Sequence, residues 1–203
     1  MMVRMTTELE TPTLLLATPQ VLDPFFRQSV ILLLRHSDEG SVGFIINRVT
    51  GITVAEVLEG LEIPWRGDAA EATYFGGPVQ PQLGTVLFHR SADHRIAIDP
   101  DKVVELLPGL LMTQHVGSLT ELAARPPGFF RFVLGYAGWG EGQLIEEIAR
   151  NDWLLVPPTQ ELLFATAPDA VWTSAMATAG IDPESLEQWP TGDTTPDDGA
   201  LVN

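Results

Sequence analysis

Apolar positions in this chain fall in short blocks bounded by polar, glycine or proline residues, a pattern that predicts mixed α and β structure. Val30–Arg35 (VILLLR) predicts a buried strand, His36–Ser41 (HSDEGS) a polar turn, and Val42–Arg48 (VGFIINR) a second strand. The turn between them is too short for a parallel crossover, so the pair is expected to be an antiparallel hairpin. Thr53–Leu61 (TVAEVLEGL) predicts a helix, with Val54, Val57, Leu58 and Leu61 on one face and Thr53 and Glu56 placed to form a capping box. Pro64 ends it.

Further along, Thr73–Phe75 predicts a strand, Gly76–Pro78 a tight turn, and Thr85–His89 and Arg95–Ile98 two more strands. Asp99 followed by Pro100 reads as the start of a short helix to about Leu107. Ser118 and Glu121 repeat the capping-box spacing for a helix to about Arg125. Phe129–Gly135 predicts a strand, Tyr136–Gly142 (YAGWGEG) a glycine-rich turn, Gln143–Arg150 a helix, Trp153–Val156 a strand, and Asp169–Ala179 a helix stopped by Gly180. The strands come in clusters and do not alternate strictly with helices, which argues against a doubly wound parallel sheet. The expected organisation is a loose arm over residues 1–11, one α+β domain over 12–189, and an acidic tail over 190–203.

Composition narrows the function. The chain has 203 residues, 45% of them apolar, enough for one sizeable core. It has no cysteine, so disulfides, thiolate catalysis and cysteine-ligated metal centres are excluded. The first 19 residues hold only the short apolar run Leu14–Ala17, preceded by Glu8 and Glu10, and no apolar run approaches a membrane span. A cytoplasmic, soluble protein is expected. The formal charge is −16, from 27 acids against 11 bases, a field that repels phosphate polyanions and opposes direct nucleic-acid contact.

The candidate chemistry is sparse. Gly135, Gly138, Gly140 and Gly142 between a strand and a helix outline a phosphate cradle, but Glu141 and Gly142 follow Gly140 where a P-loop needs lysine and then a hydroxyl residue. Gly76-Gly77-Pro78-Val79-Gln80 is a second stiff turn. The four histidines (His36, His89, His94 and His115) show no metal-ligand spacing, and His36-Ser37-Asp38 are chain neighbours that cannot form a relay. No catalytic residue, metal ligand or cofactor is assigned. Asn47 and Arg48 end an apolar strand, and the Arg48 guanidinium suits a carboxylate or phosphate.

Several of these segments together resemble the AlgH/YqgE family. They are Leu15–Pro19 with Asp23-Pro24 and Ser29-Val30; Gly43–Arg48; Phe75–Val79; Gly135–Trp139 with Gly142-Gln143-Leu144; and Trp153-Leu154 with Leu162–Phe164. Val49 stands where that family usually has proline, and Ile145 where it usually has an acid. The resemblance implies a bent, largely antiparallel mixed sheet forming a pseudo-barrel flanked by helices. It also brings the label of transcriptional regulator, which describes a pathway effect.

Two functions follow as expectations. One is a regulatory or interaction protein that binds a protein or small ligand where three segments meet, through Asn47, Arg48, Gly76, Gly77, Gln80, Gly138, Trp139, Gly140 and Gln143. The other is an enzyme at the same place, with Arg48 holding an anion and a nearby histidine acting as base.

Overall fold

The computed structural model describes residues 9–90 and 98–182. Residues 1–8 of the arm expected over 1–11, the strand at 95–98 apart from Ile98, His94 and the acidic tail lie outside them. Among the described residues the strands are β1 (Thr13–Ala17), β2 (Val30–Ser37), β3 (Gly40–Ile45), β4 (Val49–Thr53), β5 (Ala72–Phe75), β6 (Val79–His89), β7 (Val104–Leu107), β8 (Leu110–Thr113), β9 (Phe130–Trp139) and β10 (Trp153–Val156). The helices are α1 (Val54–Glu59), α2 (Val116–Ala124), α3 (Gln143–Ala149) and α4 (Val171–Thr178).

The strands join one curled, mainly antiparallel sheet in the order β10-β1-β2-β3-β9-β6-β8-β7, with β4 paired to β5 and β5 running parallel to β9. This is the bent, largely antiparallel α+β half-barrel that the family resemblance implies, and it agrees with the clustering of the strands. Side chains alternate across it, as the pleat requires. Leu14, Leu16, Val30, Leu32 and Phe44 point to one face, where a π-helix at Glu161–Ala165 and α4 cover them. Leu15, Ala17, Ile31, Leu33 and Ile45 point to the other, onto Trp139, Trp153 and Leu144 of α3. Because both faces are covered, Leu14–Ala17 of β1 and the first half of β2 are apolar without a gap. Along β6 and β9, Val86, Phe88 and Phe132 meet α1 and α2 in a third cluster.

Local signals explain where most elements begin. The Thr53–Glu56 capping box forms as the spacing predicts, Glu56 N–H donating to Thr53 Oγ1 (3.2 Å) and Thr53 N–H to Glu56 Oε2 (2.8 Å). Gly180 has φ +75° just beyond α4.

Four expectations are corrected. The Asp99 start yields only one 3₁₀ turn, Pro100–Lys102, after which Val104–Leu107 is a strand. Here β-branched residues and pairing with β8 across Gly109 override the helix signal. Helix α2 starts before Ser118: His115 Nδ1 accepts the Gly117 N–H (3.1 Å), and Ser118 is buried inside the helix. Strand β3 stops at Ile45, so Asn47 and Arg48 lie beyond it. Most of the supposed turn at Tyr136–Gly142 is strand, because Ala137–Trp139 pair with Ser41–Gly43 of β3.

Candidate functional site

The chain between β1 and β2, residues 18–29, crosses the outer face of the sheet and is held from every side. Asp23 accepts the N–H groups of Phe26 (3.0 Å) and Arg27 (2.8 Å) on its carbonyl, and that of Phe25 (2.8 Å) on its carboxylate. Thr18 Oγ1 donates to the Asn151 carbonyl (2.9 Å), and Gln20 Nε2 to the Arg150 carbonyl (2.6 Å).

The Asn47-Arg48 pair fastens the other end. Asn47 Oδ1 accepts the Val30 N–H (2.8 Å) while Nδ2 donates to the Gln28 carbonyl (2.9 Å), so one amide replaces a rung of ladder beyond β3. A side chain needs both an acceptor and a donor for this. Arg48 Nη1 donates to the Pro24 carbonyl (3.0 Å) and Nη2 to the Arg27 carbonyl. Burial lowers the Arg48 pKa, and the Arg27 guanidinium lowers it further, against a weaker opposing pull from Asp23.

Aromatic rings complete the seat. Phe25 stacks on Phe75 with centroids 5.8 Å apart. Phe26 points into the sheet face against Trp139 (6.5 Å) and Trp153 (6.1 Å). Leu22 and Phe25 remain 74% and 48% exposed, and Val49, next to Arg48, 51%.

The nine residues singled out from sequence divide into two groups. Asn47, Arg48, Gly76 and Gly77 adjoin one another: Phe75 N–H donates to the Arg48 carbonyl (2.8 Å), Ile45 N–H to the Gly76 carbonyl (2.9 Å), and Gly76 N–H to the Leu134 carbonyl (2.8 Å). A Cβ on Gly76 would overlap the Gly135 carbonyl, and one on Gly77 (φ +149°) the Tyr136 backbone. These glycines let β5, β6 and β9 cross at backbone contact. Gln80, exposed with φ +48°, starts an excursion in which Val79–Gly84 of β6 oppose only Leu134–Tyr136 of β9.

Gly138 lies on β9 opposite Val42, and Trp139, Gly140 and Gln143 form the second group around Glu147. That carboxylate accepts from the indoles of Trp139 (2.8 Å) and Trp153 (2.7 Å) and from Gln143 Nε2 (2.8 Å), while Gln143 Oε1 accepts the Gly140 N–H (3.0 Å). The two groups are linked through the loop, since Arg48 holds the Arg27 carbonyl and Phe26 covers Trp139.

Two residues escaped the sequence reading. Glu147 is one. The other is Arg131 on β9, 2% exposed, with its guanidinium carbon 4.3 Å from the centre of the Tyr74 ring and its Nε donating to the Leu163 carbonyl of the π-helix. Its Nη1 is buried without a partner, and desolvation lowers its pKa. A lone arginine inside FFRFVLG was the available signal.

None of the described histidines hydrogen-bonds Arg48, although Ser41, the partner of His36, pairs with Trp139. His36 shares a hydrogen bond with Ser41 (2.8 Å), His89 lies against Gly109, and His115 caps α2. Among the described residues no group of three His, Asp or Glu side chains is placed to hold a metal ion, and no helix is long and apolar enough to cross a membrane.

A sequence profile of the AlgH-like family (DUF179) matches residues 14–184. A "UPF0301 protein" of Myxococcus xanthus is 39% identical over 176 residues, 86% of this chain and 93% of the relative. One from Jannaschia sp. is 41% identical over 179 residues, 87% and 91% of the two chains. The solution structure of AlgH from Pseudomonas aeruginosa superposes with a TM-score of 0.69 at 33% identity, covering 91% of this chain and 98% of that one. Protein DIP2367 from Corynebacterium diphtheriae has a TM-score of 0.68 at 24% identity over 83% and 86%, a likeness of fold alone.

Proposed function

The chain belongs to the AlgH-like family, and from that premise we propose that it is an interaction protein, regulatory in effect, that works by binding a protein or small ligand at the face of residues 18–29. One observation carries the reading: Leu22 and Phe25 are presented at 74% and 48% exposure from a loop whose backbone Asn47 and Arg48 already hold, and whose Gln20 side chain is tied to the Arg150 carbonyl. A loop ordered in advance has little entropy left to lose on association. Isolated exposed apolar residues are ordinary; apolar residues on a braced loop beside two guanidiniums form a surface suited to recognition. The −16 charge argues that any regulatory effect runs through such a partner in the cytoplasm and not through direct contact with DNA.

The test is a thermal-shift panel of metabolites and peptides on the wild type and on a Leu22→Ser/Phe25→Ser variant of matching circular dichroism. A ligand that raises Tm in the first and not in the second supports the reading, since binding to the native state alone stabilises it. Turnover of any panel compound by the purified protein, abolished by Arg48→Gln, would refute it in favour of an enzyme.

A further inference from the structure

We propose that the partner of this face is an acidic peptide segment in which a carboxylate side chain neighbours an apolar one, the carboxylate lying between Arg27 and Arg48 and the apolar group on Phe25. The inference rests on the binding reading above and adds the chemistry of the ligand.

The first argument is an imbalance. The chain has 27 acids for 11 bases, yet among the described residues the ion pairs are only Lys102–Asp99 and Arg150–Asp152. Arg48 Nη2 donates to the Arg27 carbonyl, which sets the two like-charged residues side by side, and among the described residues neither forms an ion pair. Asp23, the acid that acts on Arg48, turns one carboxylate oxygen onto the Phe25 N–H. Two like charges brought together against only the weaker pull of Asp23 form a site complementary to an anion, and guanidiniums favour planar oxyanions.

The second argument concerns what surrounds that charge. Phe25 lies two residues before Arg27 in the chain and is stacked on Phe75, with Leu22 and Val49 also exposed. A bare inorganic anion would make no use of these groups, whereas a peptide carrying an acid beside an aromatic or aliphatic side chain uses both. The third argument is the protein's overall charge. A polyanion feels the whole −16 field, while a segment with one or two carboxylates responds mainly to charges within about a Debye length, roughly 8 Å in physiological salt.

The experiment is an NMR titration of the full chain with three probes: an acetylated, amidated Leu-Phe-Glu-Glu-Leu peptide, its Leu-Phe-Gln-Gln-Leu counterpart, and inorganic phosphate. The acidic peptide is expected to shift the amides of residues 22–28 saturably. Its binding should be about tenfold tighter than that of the glutamine peptide, the ratio expected from one charge-assisted contact. Arg27→Gln should remove that ratio while leaving the fold intact, because the Arg27 side chain makes no hydrogen bond within the described chain. Arg27→Lys should retain part of it.

Equal binding of the two peptides, lost in the Leu22→Ser/Phe25→Ser variant, would overturn the acidic-segment inference and leave the binding surface standing. Phosphate reproducing the same shifts at the same concentration would reduce the site to an adventitious ion only. Absence of binding by either peptide would overturn the inference as well, and the metabolite panel would then decide the wider reading.

Discussion

Replacing Arg131 distinguishes a charge the fold uses from one it merely tolerates. The wild-type guanidinium makes a charge-assisted bond to the Leu163 carbonyl, worth about 1.5–3 kcal/mol, and lies over the Tyr74 ring, worth up to about 2 kcal/mol when desolvated. Against this stand the cost of burying a cation that forms no ion pair among the described residues and feels only the more distant Glu71 carboxylate, several kcal/mol, and a buried Nη1 with no partner. Arg131→Ala removes both sides of this balance and leaves a cavity, so it should lose about 3 kcal/mol. Arg131→Met keeps the stem and deletes the charge. Its costs are the unpaired Leu163 carbonyl, about 1–3 kcal/mol, and the lost cation–π contact with Tyr74, which relief of the guanidinium's desolvation offsets. Its stability should therefore lie within about 1 kcal/mol of wild type.

Urea unfolding followed by tryptophan fluorescence measures both variants. Tyrosine absorbance adds a second readout, because the chain has only two tyrosines. Burial raises the Tyr74 pKa and Arg131 opposes that rise, so Arg131→Met should move the Tyr74 titration still higher. If Arg131→Met proves as destabilised as Arg131→Ala, the charge itself is required and this reasoning is wrong.

Other substitutions test the loop and its frame. Asn47→Asp deletes the donor to the Gln28 carbonyl and sets a carboxylate against it; a loss of about 2 kcal/mol is expected in urea unfolding, with faster hydrogen exchange in residues 20–28. Gly77→Ala should cost about 3 kcal/mol or prevent folding, whereas Gly128→Ala, where a Cβ meets open space, should stay within about 0.5 kcal/mol. Glu147→Ala should release two indole N–H groups, shifting the fluorescence of Trp139 and Trp153 and lowering stability by about 2 kcal/mol. The Thr53 backbone N–H, and then its hydroxyl, hold the Glu56 pKa below the usual carboxylate value. Its contribution is therefore fully present above that value and lost as pH falls through the folded pKa, so Glu56→Gln should flatten the acid limb of a stability–pH curve.

Legibility in the sequence followed the kind of partner each residue has. The β2–β3 hairpin, the Thr53–Glu56 cap, α3, β10 and the Gly180 stop were readable because apolar period and capping are local. The β7–β8 hairpin was not, since Asp99-Pro100 begins a helix in its signature and the pairing of β7 with β8, itself anchored on β6, decides otherwise. Strand β1, buried on both faces, reads as a bare apolar run. The glycines of β9 look like a turn, although they serve a backbone crossing set by residues far away in the chain. Asn47 and Arg48 were singled out as polar residues at a strand end, but what they grip is main-chain carbonyl, which leaves no trace in residue identity. The same holds for Arg131 and Leu163.

The placement of β1 bears on how the molecule is made. Thr13 Oγ1 donates to the Val156 carbonyl (3.2 Å), and the Trp172 indole to the Ala17 carbonyl (2.8 Å), so during synthesis the first described strand waits for some of the last described residues before its contacts are complete. Until then Leu14, Leu16 and Val30 have no cover from α4. Such long-range closure is slow, and a nascent chain stalled before residue 156 would offer an open apolar edge to whatever chaperone or neighbouring polypeptide reached it first.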